Sequence, residues 1–364
     1  MNTRTILLTG STGLLGGRVL SRILGDHPDL HAYVLVRDPY RWRSTARAFR
    51  FPRDRVTPLR GDLGAPGVGL EREELRALTR EHAAIVHVGA DNEPTRDLEA
   101  ARSTNVVGTR HLLELAADGN ARFCLVSSAF VAGSRGGSIP EFEGRGRGAG
   151  WMNAWEQSKW EAEQVVRDSG LDYVILRPSA VVCDDLTGRV TRSHAFHLAL
   201  RLIHAGLVPL LPGRPESPID VVTADHAASA IASLAFHPDA GGATLHLCAG
   251  SGAANLADIV DWSWDVWATD PAWRKRSIAP PAFTDLTTWR LFEAAVEETG
   301  DIRLGHITGA LTSLAPRLAL ETRFDTVRAE ALLGGAAPPV ASFWRSMVAD
   351  VTRTQSYRLL DTAA

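Results

Sequence analysis

The chain has 364 residues, of which 45% are hydrophobic and 22% charged, with a formal net charge of −3 and a pI near 6.5. That length and composition give a globular protein with a large core, and the charge gives no electrostatic reason to expect nucleic acid. No apolar run approaches a membrane span, since even 196–211 is interrupted by Arg201, His204 and Pro209. Only Lys159 and Lys275 of the 39 basic residues are lysine, so a lysine here carries more information than its charge alone.

Strand and helix patterns alternate from the N-terminus. Arg4–Leu8 is a short apolar strand followed at once by TGSTGLLGG, and Leu14–Leu24 has helical spacing. Further strands are expected at His31–Arg37, Arg55–Leu59, Ala83–Val88, Arg122–Ser127 and Asp172–Arg177, with helices at Glu71–Glu81, Thr95–Ala117 and Ala154–Asp168. This alternation predicts an α/β fold, a doubly wound parallel sheet with its ligand at the carboxyl ends of the strands. Gly133–Gly150 reads as a flexible loop. After about Ala249 the alternation stops. The expected division is a dinucleotide-binding domain over 1–250, with some substrate-lobe segments from about 180, and a mainly helical cap over 251–364. Tryptophans at 262, 264, 267, 273 and 289 suggest that the cap shapes a pocket for a bulky or aliphatic substrate.

The three cysteines, Cys124, Cys183 and Cys248, lie far apart in apolar, strand-like contexts and read as buried thiols of a reducing compartment. A cytoplasmic location is expected, and the apolar run at the N-terminus is too short for a signal peptide. No His/Cys/Asp spacing suggests a metal. Cys183, with Asp184 and Asp185, is placed near substrate entry, and His226 in a helix-capping context.

The glycine loop carries the first chemistry. Gly10, Ser11, Thr12, Gly13, Leu14, Leu15 and Gly16 run from strand to helix, and GxxGxxG permits a tight turn with a pyrophosphate at the helix N-terminus. At the end of the second strand, Arg37 can pair with a 2′-phosphate. NADP(H) is therefore favoured over NAD(H), although Asp38 could still hold a ribose. The arginines at 41, 43, 47, 50, 53 and 55 read as a solvated face, with the anionic tail of a carrier or CoA as the alternative ligand.

These motifs fall into a pattern. TGSTGLLG, Gly61-Asp62-Leu63, His87-Val88-Gly89-Ala90, Asn105-Val106-Val107-Gly108-Thr109, Ser127 to Gly133, Ser158-Lys159 and Arg177 to Val182 together resemble the extended short-chain dehydrogenase/reductase family. Within it the chain looks most like the thioester reductase and fatty acyl-CoA reductase branch, over roughly residues 4–250. The resemblance implies that Asp62 and Leu63 contact adenine and that Gly89 and Ala90 lie on the ribose-phosphate side. It implies that Asn105 braces the end of the fourth strand and that Pro178 and Ser179 line the nicotinamide. Ser128 would orient the substrate carbonyl, and Lys159 would hold the nicotinamide ribose and depress the pKa of a tyrosine one turn earlier.

That tyrosine position holds Trp155. An indole N–H donates a hydrogen bond but has no proton to exchange at physiological pH, so Trp155 can polarise, stack or plug but cannot act as general acid. Tyr33, Tyr40, Tyr173 and Tyr357 all lie away from this helix in the predicted order, and Glu156 points about 100° around it. The expected function is an atypical NADP(H)-dependent reductase of a carbonyl, acyl-thioester or imine-type small molecule in secondary metabolism, with Ser128, Lys159 and Trp155 at its centre. The alternatives are a non-redox cyclase, isomerase or dehydratase, and an NADP(H)-binding protein. The expected partner is a small molecule, carrier-bound by analogy with the family, and a homodimer is left open.

Overall fold

In the computed structural model, residues 4–71, 73–74, 78, 82–93, 96–142, 150–312 and 314–353 are described. Most of the expected helix 71–81, Thr95, the 143–149 part of the expected loop and Tyr357 lie outside them.

Seven parallel strands form the central sheet: β1 (Arg4–Thr9), β2 (Leu30–Val36), β3 (Val56–Arg60), β4 (His82–His87), β5 (Arg122–Val126), β6 (Tyr173–Pro178) and β7 (Ala243–Leu247). Their order is β7-β6-β5-β4-β1-β2-β3, so successive strands are added outward on one side of β1 and then, from β4, on the other. That switch point leaves a crevice at the strands' carboxyl ends, where α/β proteins bind ligands. The six expected strands are present within a residue or so, while β7 (ATLHL) was not foreseen. It sits at the sheet edge beside β6, each residue pairing with one 69 positions earlier, from Ala243 with Val174 to Leu247 with Pro178.

Among the described residues the helices of ten residues or more are α1 (Leu14–Asp26), α2 (Pro39–Phe49), α3 (Leu98–Arg102, a π-turn at Ser103–Val107, then Gly108–Gly119), α4 (Ala154–Arg167), α5 (Ala195–His204), α6 (Ala224–Leu234), α7 (Leu256–Trp267), α8 (Leu286–Thr299), α9 (Ile302–Thr312) and α10 (Trp344–Arg353). On one face of the sheet Val19, Leu20 and Ile23 of α1 meet Ala228 and Ile231 of α6 over Ile6, Leu8 and Val34. On the other, Leu112, Leu115 and Ala116 of α3 and Val166 of α4 cover Leu7, Ile85 and Phe123. Alternate residues of one strand thus feed opposite cores, as a doubly wound sheet requires.

A second core joins α5, α7 and α10 with Trp267, Trp273, Trp289 and Trp344. It begins at Val182, and the chain comes back to the main sheet with β7 and with Ala329. The two cores are therefore interleaved in sequence. Part of the Gly-rich stretch expected as a loop is ordered: Gly137–Ile139 pairs in parallel with Thr322–Phe324. All three cysteines are buried and free. Among the described residues no helix is long and apolar enough to cross a membrane, and no cluster of His, Cys, Asp and Glu is arranged to hold a metal.

Candidate active site

β1 delivers the chain into the glycine loop with Gly10 at φ 75°, a conformation that costs a side-chain-bearing residue energy. Gly13 N–H donates to Gly10 O (2.8 Å). A Cβ on Gly10 would lie 2.6 Å from Gly89 N, and one on Gly16 only 2.1 Å from Gly10 O. The loop thus folds tightly against β4's end and against its own helix. α1 has Gly13 as its N-cap with no side-chain cap, so its first amides face outward and suit an anion. Gly16→Ala is expected to lower stability by about 1–3 kcal/mol, because backbone rather than a movable side chain opposes the new methyl. Urea denaturation of the variant checks this.

An open cleft of about 470 Å³ lies above the loop, lined by Gly10, Thr12, Gly13, Arg37, Asp62, Leu63, Gly89 and Ala90 among the expected residues. Asp38, weighed above as a ribose ligand, and Arg41, weighed as part of a solvated or anion-binding face, line it too, as do Thr9, Asn92, Thr104 and Arg192, which sequence reasoning did not assign to it. Ser11 is fully buried beneath the loop. Asp38 caps α2, its Oδ1 accepting from Tyr40 N–H (2.8 Å) and Arg41 N–H (3.2 Å). At the cleft's inner edge Thr9 Oγ1 accepts from Gly89 N–H (3.0 Å) and lies 2.7 Å from His87 Nδ1. Burial, then the nearby Lys159 charge, push His87 down to about 3. It is a neutral imidazole at physiological pH.

α4 starts at Asn153, whose Oδ1 accepts Glu156 N–H (2.9 Å). This puts Trp155 in the first turn and Lys159 one turn on, on the same face. Trp155 Nε1 donates to Asn92 Oδ1 (3.1 Å), and Asn92 lines the cleft while Trp155, Lys159 and Ser128 lie outside its lining. Lys159 is buried, donating to Val126 O at the end of β5 (2.6 Å). Burial pushes its pKa down to about 8, against the pull of Glu163. Ser128, just past β5, accepts Phe130 N–H (3.2 Å) through Oγ and does not use its own proton in that bond. Asn105, in the π-turn of α3, accepts from Asp91 N–H (2.8 Å) and donates to Asp91 O (3.0 Å) and Ser158 Oγ (2.8 Å). It ties the segment after β4 to α4. Pro178 and Ser179 are buried at β6's end and do not line the open cleft.

Two buried ion pairs fix α4. Arg177 on β6 makes a two-pronged contact with Glu163, Nε to Oε1 at 2.8 Å and Nη2 to Oε2 at 2.6 Å. Burial alone would raise Glu163, but Arg177 and Arg167 hold it down to about 2. At the helix start, Arg317 of the second lobe donates to Glu156 Oε1 (2.5 Å) and Gly133 O (3.2 Å), its guanidinium 4.5 Å from the Phe130 ring centroid. Burial pushes Glu156 upward against Arg317's charge. Glu156 is thus a structural anchor facing the second lobe. The expectation of a cleft position for Cys183 fails: it is buried in the second core and its thiol faces Asp185 O (3.4 Å), while Asp184 pairs with Arg18 (3.0 Å). His226 donates its backbone N–H to Thr223 Oγ1, the cap of α6. Tyr33, Tyr40 and Tyr173 do not line the cleft.

The family model described as Male sterility protein (NAD_binding_4) matches residues 8–231. The L-2-aminoadipate reductase large subunit of Penicillium chrysogenum is 30% identical over 271 residues, 66% of this chain and 19% of that protein. The isonitrile lipopeptide synthase of Streptomyces coeruleorubidus is 30% identical over 275 residues, 71% of this chain and 18% of that protein. This chain thus spans about a fifth of the length of these curated relatives. Among solved structures, the terminal R domain from the myxalamid PKS-NRPS biosynthetic pathway is 27% identical with a TM-score of 0.76, covering 96% of this chain and 90% of that one. A thiolation-reductase di-domain from an archaeal non-ribosomal peptide synthetase shares the fold at a TM-score of 0.71 and 18% identity, covering 97% and 76%.

Proposed function

We propose, from the premise that the chain belongs to the male sterility protein family and with it to the extended short-chain dehydrogenase/reductase oxidoreductases, that it is an NADP(H)-dependent reductase of carrier-bound acyl thioesters. The observation that carries this reading is the arginine-edged cleft. Arg37 and Arg41 follow the end of β2, the position suited to an adenosine 2′-phosphate, while Asp38, the carboxylate beside them, has an oxygen committed to capping α2. A free 2′-hydroxyl wants an acceptor and a 2′-phosphate wants guanidinium donors. The uncapped N-terminus of α1 suits the pyrophosphate. The names of the relatives, reductase domains of peptide and polyketide synthases, support a thioester on a carrier arm as substrate.

When bound, the dinucleotide supplies a hydride. The chain's own part is to hold the reacting oxygen. Ser128 retains a hydroxyl proton for donation, and the Trp155 N–H can turn from Asn92 to the substrate. Both stabilise an oxyanion without giving up a proton. Reduction of a thioester to an aldehyde suits such a site. The oxyanion collapses back to a carbonyl as the carbon–sulfur bond breaks, and the thiolate leaves to take its proton from water. The oxygen is never protonated, so a tyrosine is not needed for that step. Further reduction to an alcohol would need one.

Two measurements test this. NADPH and a pantetheine-linked acyl thioester should yield an aldehyde as the main product, and turnover without NADPH would favour a non-redox enzyme instead. In fluorescence titrations, Arg37→Ala should weaken NADPH binding about tenfold, the value of one charge-assisted hydrogen bond, and leave NADH binding unchanged. Equal loss for both dinucleotides would remove Arg37 from the 2′-phosphate site.

A further inference from the structure

A third arginine reaches the same cleft from the other half of the chain. Arg192 lies 180 residues from Thr12, yet its Nη2 donates to Thr12 O in the glycine loop (3.1 Å), and it lines the cleft with Arg37 and Arg41. Its position is built. Asp184 N–H donates to Arg189 O (2.7 Å), closing a turn, and Thr191 Oγ1 donates to Asp184 Oδ1 (2.9 Å). Asp184 Oδ2 is paired with Arg18 of α1 (3.0 Å), which fastens the turn to the helix that starts at the glycine loop. On the far side Val190 N–H donates to Asp350 Oδ2 (2.9 Å) and Arg201 to Ser193 Oγ (2.7 Å). Neither Arg41 nor Arg192 has a carboxylate partner among the described residues. Burial, then the positive charge of Arg41, push the Arg192 pKa down. Two guanidiniums lining one cleft, neither paired with a carboxylate, are at lower energy once an anion sits between them.

We propose that Arg192 completes the 2′-phosphate site, closing over the phosphate opposite Arg37 and Arg41, so that the second lobe takes part in choosing NADP(H) over NAD(H). This rests on the nucleotide reading above and adds to it a residue that the β2 end does not supply. The pyrophosphate is the competing anion, but Arg192 shares the cleft with Arg41, which stands just past the end of β2 in the turn that Asp38 caps, on the adenosine side. Because the turn is anchored to both α1 and α10, the site is shaped only when the two lobes are assembled.

The test compares Arg192→Ala with the wild-type chain and with Arg41→Ala, titrating NADPH, NADH and adenosine 2′,5′-bisphosphate by tryptophan fluorescence. Arg192→Ala should weaken NADPH and the bisphosphate about tenfold and leave NADH within about twofold, matching Arg41→Ala. Arg192→Lys should recover part of the loss, since it restores charge without the planar fork. Equal weakening of NADPH and NADH would assign Arg192 to the pyrophosphate and overturn the proposal. So would an Arg192→Ala chain that still prefers NADPH as the wild type does, and that result would leave the NADP(H) reading standing. A wild-type chain that binds neither dinucleotide would sink both.

Discussion

Replacing Trp155 by tyrosine is expected to raise NADPH-dependent reduction of a simple aldehyde by about 10²-fold or more, the usual contribution of a positioned acid. Trp155 and Lys159 are one turn apart on α4, and the lysine is buried and holds its charge below a pKa of about 8. A phenol beside that cation would have its own pKa lowered and gain a proton that can be delivered to an alkoxide. The indole N–H, now spent on Asn92, cannot make that delivery. The sign of the pH effect follows from Lys159: the gain should be present below about pH 8 and fade as pH rises through it, because the lysine then loses the charge that activates the phenol. Thioester reduction to aldehyde should change much less, and alcohol should now accumulate. Following NADPH absorbance and product identity at several pH values checks both. A correctly folded Trp155→Tyr chain with no gain on aldehydes would mean that position 155 does not face the reacting oxygen.

The second large effect is on stability. Arg177→Met should destabilise the chain by about 3–5 kcal/mol, because it strands the Glu163 carboxylate in a dry interior. In the wild type Glu163 titrates at about 2, below its ordinary value of 4.5, so the pair's contribution is present above about pH 4.5 and is lost only as pH falls toward 2. In Arg177→Met the two-pronged counter-ion is gone and only the single Arg167 contact (2.9 Å) opposes the upward push of burial on Glu163, so the penalty should be largest near neutral pH and shrink as acid protonates the carboxyl. The double variant Arg177→Met, Glu163→Leu should recover much of the loss, since no carboxylate is left stranded and the partly exposed Arg167 can turn to water. Urea melts of the three chains at about pH 7 and about pH 4 separate these outcomes. A deficit in Arg177→Met that did not shrink in acid would point to lost packing rather than a stranded charge.

Much of the site was legible because its signals are local. The glycine loop is one βα turn, and its backbone geometry is set by residues within a single tight bend, with Gly10 at φ 75° and Gly16 against Gly10 O. The Trp155–Lys159 spacing is a property of one helix. Where the local signal was weak the expectation slipped. β7 is a short buried strand whose place at the edge depends on its pairing with β6. The Gly-rich stretch gained a strand at Gly137–Ile139 only because Thr322–Phe324 lies beside it. Cys183 looked like a pocket residue from its neighbours, but its strand turns the thiol into the second core.

By itself the sequence determined the parallel doubly wound sheet, the dinucleotide-type loop and the absence of a tyrosine one turn before Lys159, since strand period, helix period and glycine spacing are written within a few residues of one another. Only the tertiary structure decided which charges meet. Asp38 turns into a cap, Arg177 finds Glu163, Arg317 crosses 161 residues to Glu156, and Arg192 crosses 180 to the glycine loop. Ion pairs of that reach leave no periodic trace in the chain, because their partners are brought together by the burial of apolar faces on other elements, and a carboxylate or guanidinium reads the same in sequence whether it ends in water or against its partner.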